Sequence, residues 1–301
     1  MNEDYLWDRT GAADPEIVEL ERLLGPLRYR PLRYRQRQKT PWLRLLPIAA
    51  AVVLAMLGSF YGGRTRSAWS VGGESVQAGE WVRTDGRSTV VLSSDAVGEV
   101  RVDPDSALRV RAGRRLALRQ GVIHALIWAP PSEFVVDTPG ARAVDLGCAY
   151  TLSVDGNGDG LLQVETGWVA FDFEHRESFI PAGAKCRTYK GRGPGTPWFA
   201  DAGPVFPKAL RRFDETGDSA ALDVVLENAR ARDGLTLWHL LGRGSAEQRR
   251  RAAARFAELI VIPEGVAVGR AADGEAAALD GCWNALGLGD TGWWRTWKRS
   301  W

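Results

Sequence analysis

The segment DGNGDG, in the middle of the chain, has the residue types of a calcium-binding loop. An EF-hand loop places oxygen ligands at its first, third and fifth positions, glycine at the sixth and a bidentate glutamate at the twelfth. Asp155, Asn157, Asp159 and Gly160 meet the first four requirements, but the twelfth position is Thr166. Both flanking runs alternate as strands do, so we interpret the segment as a hairpin turn, with an incidental weak cation site as the alternative.

The cysteines and histidines are the other residues that could bind a metal. The three cysteines form no C-x-x-C pair, and no histidine stands at metal-ligand spacing from a cysteine. A zinc site is therefore not expected, and we interpret the histidines as packed or surface residues. We predict no metal and no cofactor. The residues concerned are Cys148, Cys186, Cys282, His124, His175 and His239.

Four aspartates at the ends of apolar runs could serve as acids or bases. Glycosidases use paired carboxylates beside aromatic platforms, and the chain has 13 tryptophans. Turns and strand ends commonly carry carboxylates, however, and nothing in the sequence places two of them across a cleft. We therefore predict that the protein is not an enzyme. The four aspartates are Asp137, Asp145, Asp155 and Asp159.

The composition is that of a globular protein with little overall charge. The chain has 301 residues, of which 45% are hydrophobic and 25% charged, and its formal net charge is +2. This length allows one to three domains. So small a net charge predicts no direct nucleic-acid partner.

An uncharged apolar run, Leu45 to Gly63, divides the chain. As a helix it would be about 28 Å long, which is enough to cross a bilayer. We predict a single transmembrane helix at residues 41–63, and a buried core helix is the alternative. Seven basic residues lie between Arg28 and Arg44 and only two follow the run closely. The positive-inside rule then places the N-terminus in the cytoplasm of a bacterium and the C-terminal part outside its inner membrane, in the periplasm.

The first 40 residues predict one short amphipathic helix. Asp14 and Pro15 have the residue types of a helix cap and of the first helical position. Apolar residues follow at helical spacing, and so short a helix needs a partner to bury them. The partner could be a protein, the membrane surface or the rest of the chain. The apolar residues are Ile17, Leu20, Leu23, Leu24 and Leu27, with Trp7 nearby.

Residues 71–190 predict an all-β domain. Short runs rich in valine, leucine and aromatic residues follow one another, bounded by Gly, Pro, Asp or Ser. Several alternate strictly, as in Glu99–Val102, so one face is buried and the other is wet. A sandwich, a roll and a solenoid all fit this pattern.

Several short motifs appear in a fixed order within residues 75–190. They include Val82–Gly86, Leu118–Gly121, Phe134–Gly140, Ala143–Tyr150 and Val164–Val169. In this order and spacing the segment resembles the FecR-type domain, the extracytoplasmic part of membrane regulators that control extracytoplasmic-function sigma factors.

The resemblance implies a regulator that works through protein contacts. A sigma factor would be the cytoplasmic partner, and an unknown envelope protein or ligand would bind outside. The N-terminal segment lacks the zinc-binding His/Cys pattern of many anti-sigma domains, so the sigma-factor role follows from the architecture. The candidate sigma contacts are Trp7, Ile17, Leu20, Leu23, Leu24 and Leu27.

Cys148 departs from the family, which usually carries threonine at this position. Cys148 and Cys186 flank consecutive strands in an oxidising compartment, so we predict a disulfide between them. A loop of about 38 residues would contribute roughly 3–4 kcal/mol if the disulfide were unstrained. Two buried free thiols are the alternative.

The region after residue 200 changes to helical periodicity. Gly191–Pro197 is predicted as a linker, and residues 201–301 as HEAT-like helix hairpins. The tail Gly292–Trp301 carries four tryptophans and either anchors the protein to a partner or membrane or packs back on the helices. The predicted helices are Ser219–Ala231, Leu235–Leu241, Ser245–Ile260 and Glu275–Leu286.

These features together predict a mixed fold with four parts: a short cytoplasmic segment, one transmembrane helix, an all-β domain and an all-α domain. The predicted function is a single-pass membrane signal transducer that regulates an extracytoplasmic-function sigma factor. The alternative is a membrane-anchored envelope scaffold or binding protein with no transcriptional role.

Overall fold

The structure, a computed structural model, describes residues 14–27, 69–174 and 176–289. The described residues belong to two compact units, of which residues 14–27 lie in the first and all others in the second. In the first unit, helix α1 spans Pro15–Leu24, and a 3-10 turn follows at Gly25–Leu27.

From residue 69 onward, the described part of the second unit begins with sixteen strands. They are β1 (Ser70–Val71), β2 (Glu74–Ser75), β3 (Trp81–Arg83), β4 (Val90–Ser94), β5 (Gly98–Val102), β6 (Ala107–Val110), β7 (Arg115–Ile127), β8 (Val135–Asp137), β9 (Arg142–Asp145), β10 (Ala149–Val154), β11 (Gly160–Thr166), β12 (Trp168–Phe173), β13 (Arg176–Pro181), β14 (Ala184–Tyr189), β15 (Gly193–Pro194) and β16 (Trp198–Phe199).

The long strand β7 joins two halves of the sheet. Its first half pairs with β6 and, in parallel, with β8, and its second half pairs with β5 and β10. The first half belongs to the series β3-β6-β7-β8-β9-β12-β13, and the second half belongs to the series that runs from β1 through β4, β5, β7, β10 and β11 to β14. Gly121 lies at the junction with φ +102°, and a Cβ there would lie 2.1 Å from Ser106 Oγ. Only glycine fits this close approach.

The strands bury one face because their side chains alternate. In β5, Gly98, Val100 and Val102 are buried while Glu99 and Arg101 are exposed, as the sequence pattern predicts. The inward side chains of both halves form one core that extends from Trp69 to Phe199 and includes Trp283 from the helical region.

Within the described residues, six α-helices follow the strands. They are α2 (Val205–Thr216), α3 (Ser219–Asn228), α4 (Gly234–Leu240), α5 (Ala246–Leu259), α6 (Val268–Ala272) and α7 (Ala276–Ala285). Local signals fix their ends: the Asp218 carboxylate accepts the Ala220 N–H, and Ser245 and Gln248 form a capping box. The four predicted helices correspond to α3, α4, α5 and α7.

An aromatic cluster attaches these helices to the sheet. Trp283 of α7 lies 5.8 Å from Trp168, 6.1 Å from Phe179 and 4.8 Å from Trp238, measured between ring centroids. Trp168 and Phe179 belong to β12 and β13, so the helices pack on the end of the sheet. Aromatic pairs at these separations add stability beyond the area that they bury.

The predicted fold class is wrong. The second unit is a large mixed sheet, with a parallel β7–β8 pair, on which the C-terminal helices pack. The predicted linker also contributes β15, whose two residues are buried. Among the described residues no helix is both long and apolar enough to cross a membrane. The predicted span at residues 41–63 and the tryptophan-rich tail lie outside the described residues.

Candidate protein-binding site

Helix α1 forms because its first turn is well capped. The Asp14 carboxylate accepts the Glu16 N–H at 3.0 Å, and Pro15 occupies the first helical position. The Glu19 carboxylate pairs with Arg22 one turn later, at 2.7 Å. These contacts involve only polar side chains and the backbone, so the apolar side chains of α1 take no part in them.

One side of α1 carries the apolar residues, which we call the apolar stripe: Ile17, Leu20, Leu23 and Leu24. Helical residues three or four apart share a face. The three leucines are 56%, 62% and 56% exposed, and Ile17 is half-buried. This exposed leucine makes the stripe the candidate site for contact with a partner.

Of the other two predicted contact residues, only one lies in the described part of the chain. Leu27 ends the 3-10 turn after the helix, and Trp7 lies outside the described residues. Val18, which is 49% exposed, is not among the contact residues predicted from the sequence. Val18 lies about 100° beyond Ile17 around the helix, outside the stripe. It therefore serves as a matched control position.

A second arrangement, absent from the sequence-based expectations, joins the helical region to β13. Strand β13 ends the strand order, so part of its backbone has no neighbouring strand among the residues that the structure describes. The Phe179 N–H donates to His239 Nε2 at 3.0 Å, and the Glu177 carbonyl accepts from Arg243 Nη2 at 3.0 Å. Two side chains thus take the place of a further strand at this edge.

Arg243 is the centre of this arrangement and is only 7% exposed. It donates to Thr196 Oγ1 at 2.8 Å and to Ser178 Oγ at 2.7 Å, and it lies 3.8 Å from the Asp214 carboxylate. Thr196 in turn donates its N–H and its hydroxyl to Asp214. We call Ser178, Thr196, Asp214, His239 and Arg243 the latch cluster. Because its polar groups are engaged with one another, we assign it a structural role.

A chain of hydrogen bonds also crosses the outer face of β7, β10 and β11. His124 Nε2 lies 2.7 Å from Asp103, His124 Nδ1 lies 3.0 Å from Thr151 Oγ1, and the Thr151 hydroxyl donates to Glu165. A histidine between a carboxylate and a hydroxyl is a component of nucleophilic catalysts. Here the hydroxyl donates to a second carboxylate instead of the histidine, so this geometry does not activate Thr151.

The DGNGDG segment forms the turn between β10 and β11, which confirms the hairpin interpretation. Asp155 Oδ1 accepts the N–H groups of Asn157 and Asp159, and Asp159 Oδ1 accepts the Lys190 N–H. These carboxylates therefore hold the backbone of the turn. Within the described ranges, no group of three or more His, Cys, Asp or Glu side chains could hold a metal ion.

Both cysteines of the predicted disulfide are buried free thiols. Cys186 pairs with Leu162, which pairs with Leu152 of β10, and Leu152 is four residues after Cys148, which directly precedes β10. The two cysteines are thus separated by an intervening strand and by about 13 Å along the strand direction. A disulfide requires Cα atoms within about 7 Å. The structure therefore contains two free thiols, which is the alternative to the predicted disulfide.

Cys148 has a different partner, the buried carboxylate of Asp145. The Gly147 N–H donates to the other oxygen of this carboxylate at 2.7 Å. Burial raises the pKa of Asp145 to about 7, although both hydrogen bonds act in the opposite direction. Burial also raises the pKa of the Cys148 thiol, followed by the effect of the Asp145 charge. Cys148 is therefore an unreactive thiol.

Comparison with known proteins finds only limited similarity. No protein-family model matches the chain, and no curated protein matches it. Two crystal structures of a "putative anti-sigma factor" from Parabacteroides distasonis are similar to it, each with a TM-score of 0.35 and 14% sequence identity. Each match covers 44% of this chain and 64% of the solved chain. The chain thus spans less than two thirds of that protein's length.

Proposed function

We propose that the protein regulates an extracytoplasmic-function sigma factor by binding it through the apolar stripe of α1. The exposure of the stripe leucines carries this proposal. The sequence resemblance to FecR-type regulators supplies the class of partner. The protein would act by binding, without catalysis.

Burial of the stripe makes a measurable contribution to the free energy of binding. Each leucine is about half exposed, so burying it fully contributes about 1 kcal/mol, roughly half of the value for a fully exposed side chain. Three leucines together contribute about 3 kcal/mol, which is more than a hundredfold in affinity. An amphipathic helix that lies in an apolar groove of its partner uses this kind of contact.

Affinity capture with the full-length chain tests the proposal. The wild type is compared with the double variant Leu20→Asp, Leu24→Asp, and bound proteins are identified by mass spectrometry from cells of the source organism. We expect a sigma factor with the wild type and at least about thirtyfold less with the double variant, because two carboxylates would be buried without partners.

The single variants Val18→Asp and Leu20→Asp form the matched pair, since each places one negative charge on the same helix and only Val18 lies outside the stripe. Val18→Asp is the control of this pair. We expect it to capture as much sigma factor as the wild type. Loss of capture in the control as well would show that charge on α1, and not the stripe, decides binding. If the wild type captures other proteins but no sigma factor, the protein is a scaffold or binding protein with no transcriptional role.

A further inference from the structure

Two arginines lie beside Trp81 on the outer face of the first half of the sheet, and a third lies two strands away from it. Arg83 follows Trp81 on β3, Arg109 lies opposite Trp81 on β6, and Arg119 lies on β7, the next strand. We call Trp81, Arg83, Arg109 and Arg119 the arginine patch. Arg83 and Arg119 are exposed, and Trp81 and Arg109 are half-buried.

The strand alternation places these side chains on one face. Leu108 of β6 and Leu118 of β7 are 0% and 1% exposed and belong to the core. Arg109 and Arg119 are their direct neighbours in sequence, so they project from the opposite face. Neighbouring strands lie about 4.8 Å apart, which brings the arginines within reach of one ligand.

Trp81 orients two of the guanidinium groups. Arg83 and Arg109 lie over its ring at 4.8 and 5.7 Å from the centroid. Arg109 also donates its Nε–H to the Gly79 carbonyl at 3.0 Å, which fixes the position of its guanidinium group. Such cation–π contacts reduce the freedom that a bound ligand would otherwise have to remove.

The charge of the patch is not neutralised within the described residues, where none of its three arginines forms an ion pair. Two other arginines of this part of the sheet, Arg115 and Arg142, do form ion pairs, both with Asp137. Guanidinium groups bind carboxylates through two parallel hydrogen bonds. The arginine patch therefore has the chemistry of a carboxylate receptor.

The backbone of β3 offers a second means of recognition at the same place. In the described residues β3 pairs with β6 alone. Glu80 O and Thr84 N bond toward β6, and hydrogen-bonding direction alternates along an antiparallel strand. The backbone groups of Trp81 and Arg83 therefore face the open edge. An extended peptide can pair with such an edge.

We propose that the arginine patch and the open edge of β3 together bind an extended, carboxylate-rich peptide segment of a partner protein. The peptide backbone pairs with β3, and its carboxylates bind the arginines on the outer face. The low net charge of the chain, +2, favours a short acidic peptide over nucleic acid, whose binding requires a broad basic surface. This proposal is independent of the role of α1.

Fluorescence anisotropy of the full-length protein with a labelled peptide of alternating glutamate and threonine tests it. We expect binding that weakens at high salt and is at least about tenfold weaker in the double variant Arg83→Gln, Arg109→Gln. The double variant Lys208→Gln, Arg250→Gln removes the same charge from two exposed helical positions and should bind within about twofold of the wild type.

Two further probes separate the contributions. A peptide N-methylated at alternate residues cannot pair with β3 and should bind at least about fivefold more weakly. Equal binding of that peptide would overturn the edge contact. No binding of the glutamate peptide to the wild type, equal loss in both double variants, or tighter binding of a single-stranded oligonucleotide would overturn the proposal as a whole.

Discussion

The buried, neutral His239 should make a contribution to the free energy of unfolding that falls as the pH falls below 6.5. His239 Nδ1 lies 2.9 Å from the Leu235 carbonyl, which can only accept, so Nδ1 carries the proton and Nε2 accepts the Phe179 N–H. A proton on Nε2 would break that bond at the edge of β13. Burial, reinforced by the Arg243 charge, lowers the pKa of His239 from 6.5 to about 3.

The sign and size of the effect follow from this pKa. Below pH 6.5 the unfolded chain binds a proton at His239 and the folded protein does not, so stability falls as the pH falls toward about 3. The full difference is about 5 kcal/mol, and the part lost between pH 7 and pH 5 is about 2 kcal/mol.

Asp145 acts in the opposite direction over the same range. Its pKa is raised from 3.8 to about 7. Its contribution to the free energy of unfolding is therefore fully present below pH 3.8 and is lost as the pH rises to about 7. Between pH 7 and pH 5 it adds back about 2 kcal/mol. The stability of the wild type alone can therefore change little, and the effect of His239 must be isolated by a variant.

The variant His239→Gln isolates it, because glutamine does not titrate. Urea unfolding of both proteins at pH 7 and pH 5, followed by far-UV circular dichroism, gives four free energies of unfolding. We expect the wild type to lose about 2 kcal/mol more than the variant between the two pH values. A difference below about 0.5 kcal/mol would refute the assignment of a buried, neutral His239.

Three further changes have outcomes that the packing determines. In the wild type, ionisation of Asp145 should lower the free energy of unfolding by about 4 kcal/mol between pH 4 and pH 8. Asp145→Asn should remove this loss in chemical unfolding, because the amide cannot ionise. Gly121→Ala should lower the free energy of unfolding by more than about 2 kcal/mol, because the new Cβ would clash with the backbone and side chain of Ser106. Gly113→Ala, also at positive φ but in open space, should lower it by about 1 kcal/mol. Equal losses for the two variants would contradict the proposed role of Gly121. Arg243→Met should cost about 3–5 kcal/mol in urea unfolding because it leaves the Asp214 carboxylate buried without its ion pair.

Local sequence patterns predicted much of the second unit. The alternation in β5 and the capping residues of α3 and α5 act within a few residues, so they can be recognised without knowledge of the fold. Gly121 shows the limit of this reasoning. A glycine commonly marks the end of a strand, but the structure has one 13-residue strand, β7, in which Gly121 allows the close approach to Ser106.

The contacts that join distant parts of the chain could not be predicted in this way. His239 and Phe179 are 60 residues apart in sequence, and Arg243 and Ser178 are 65 apart. No local pattern marks such pairs. The predicted disulfide failed for the same reason, since it depended on the strand order between Cys148 and Cys186. The stripe of α1, by contrast, follows directly from helical spacing, so the sequence identified its residues.

Hydrogen–deuterium exchange of α1 tests the central proposal most directly. The full-length protein is measured alone and in complex with the captured sigma factor, and exchange is compared in the peptide that covers residues 14–27. We predict that binding slows amide exchange throughout α1, because a helix held in a groove opens less often. Unchanged exchange in α1 within a demonstrated complex would contradict the proposal and place the sigma-factor contact elsewhere on the protein.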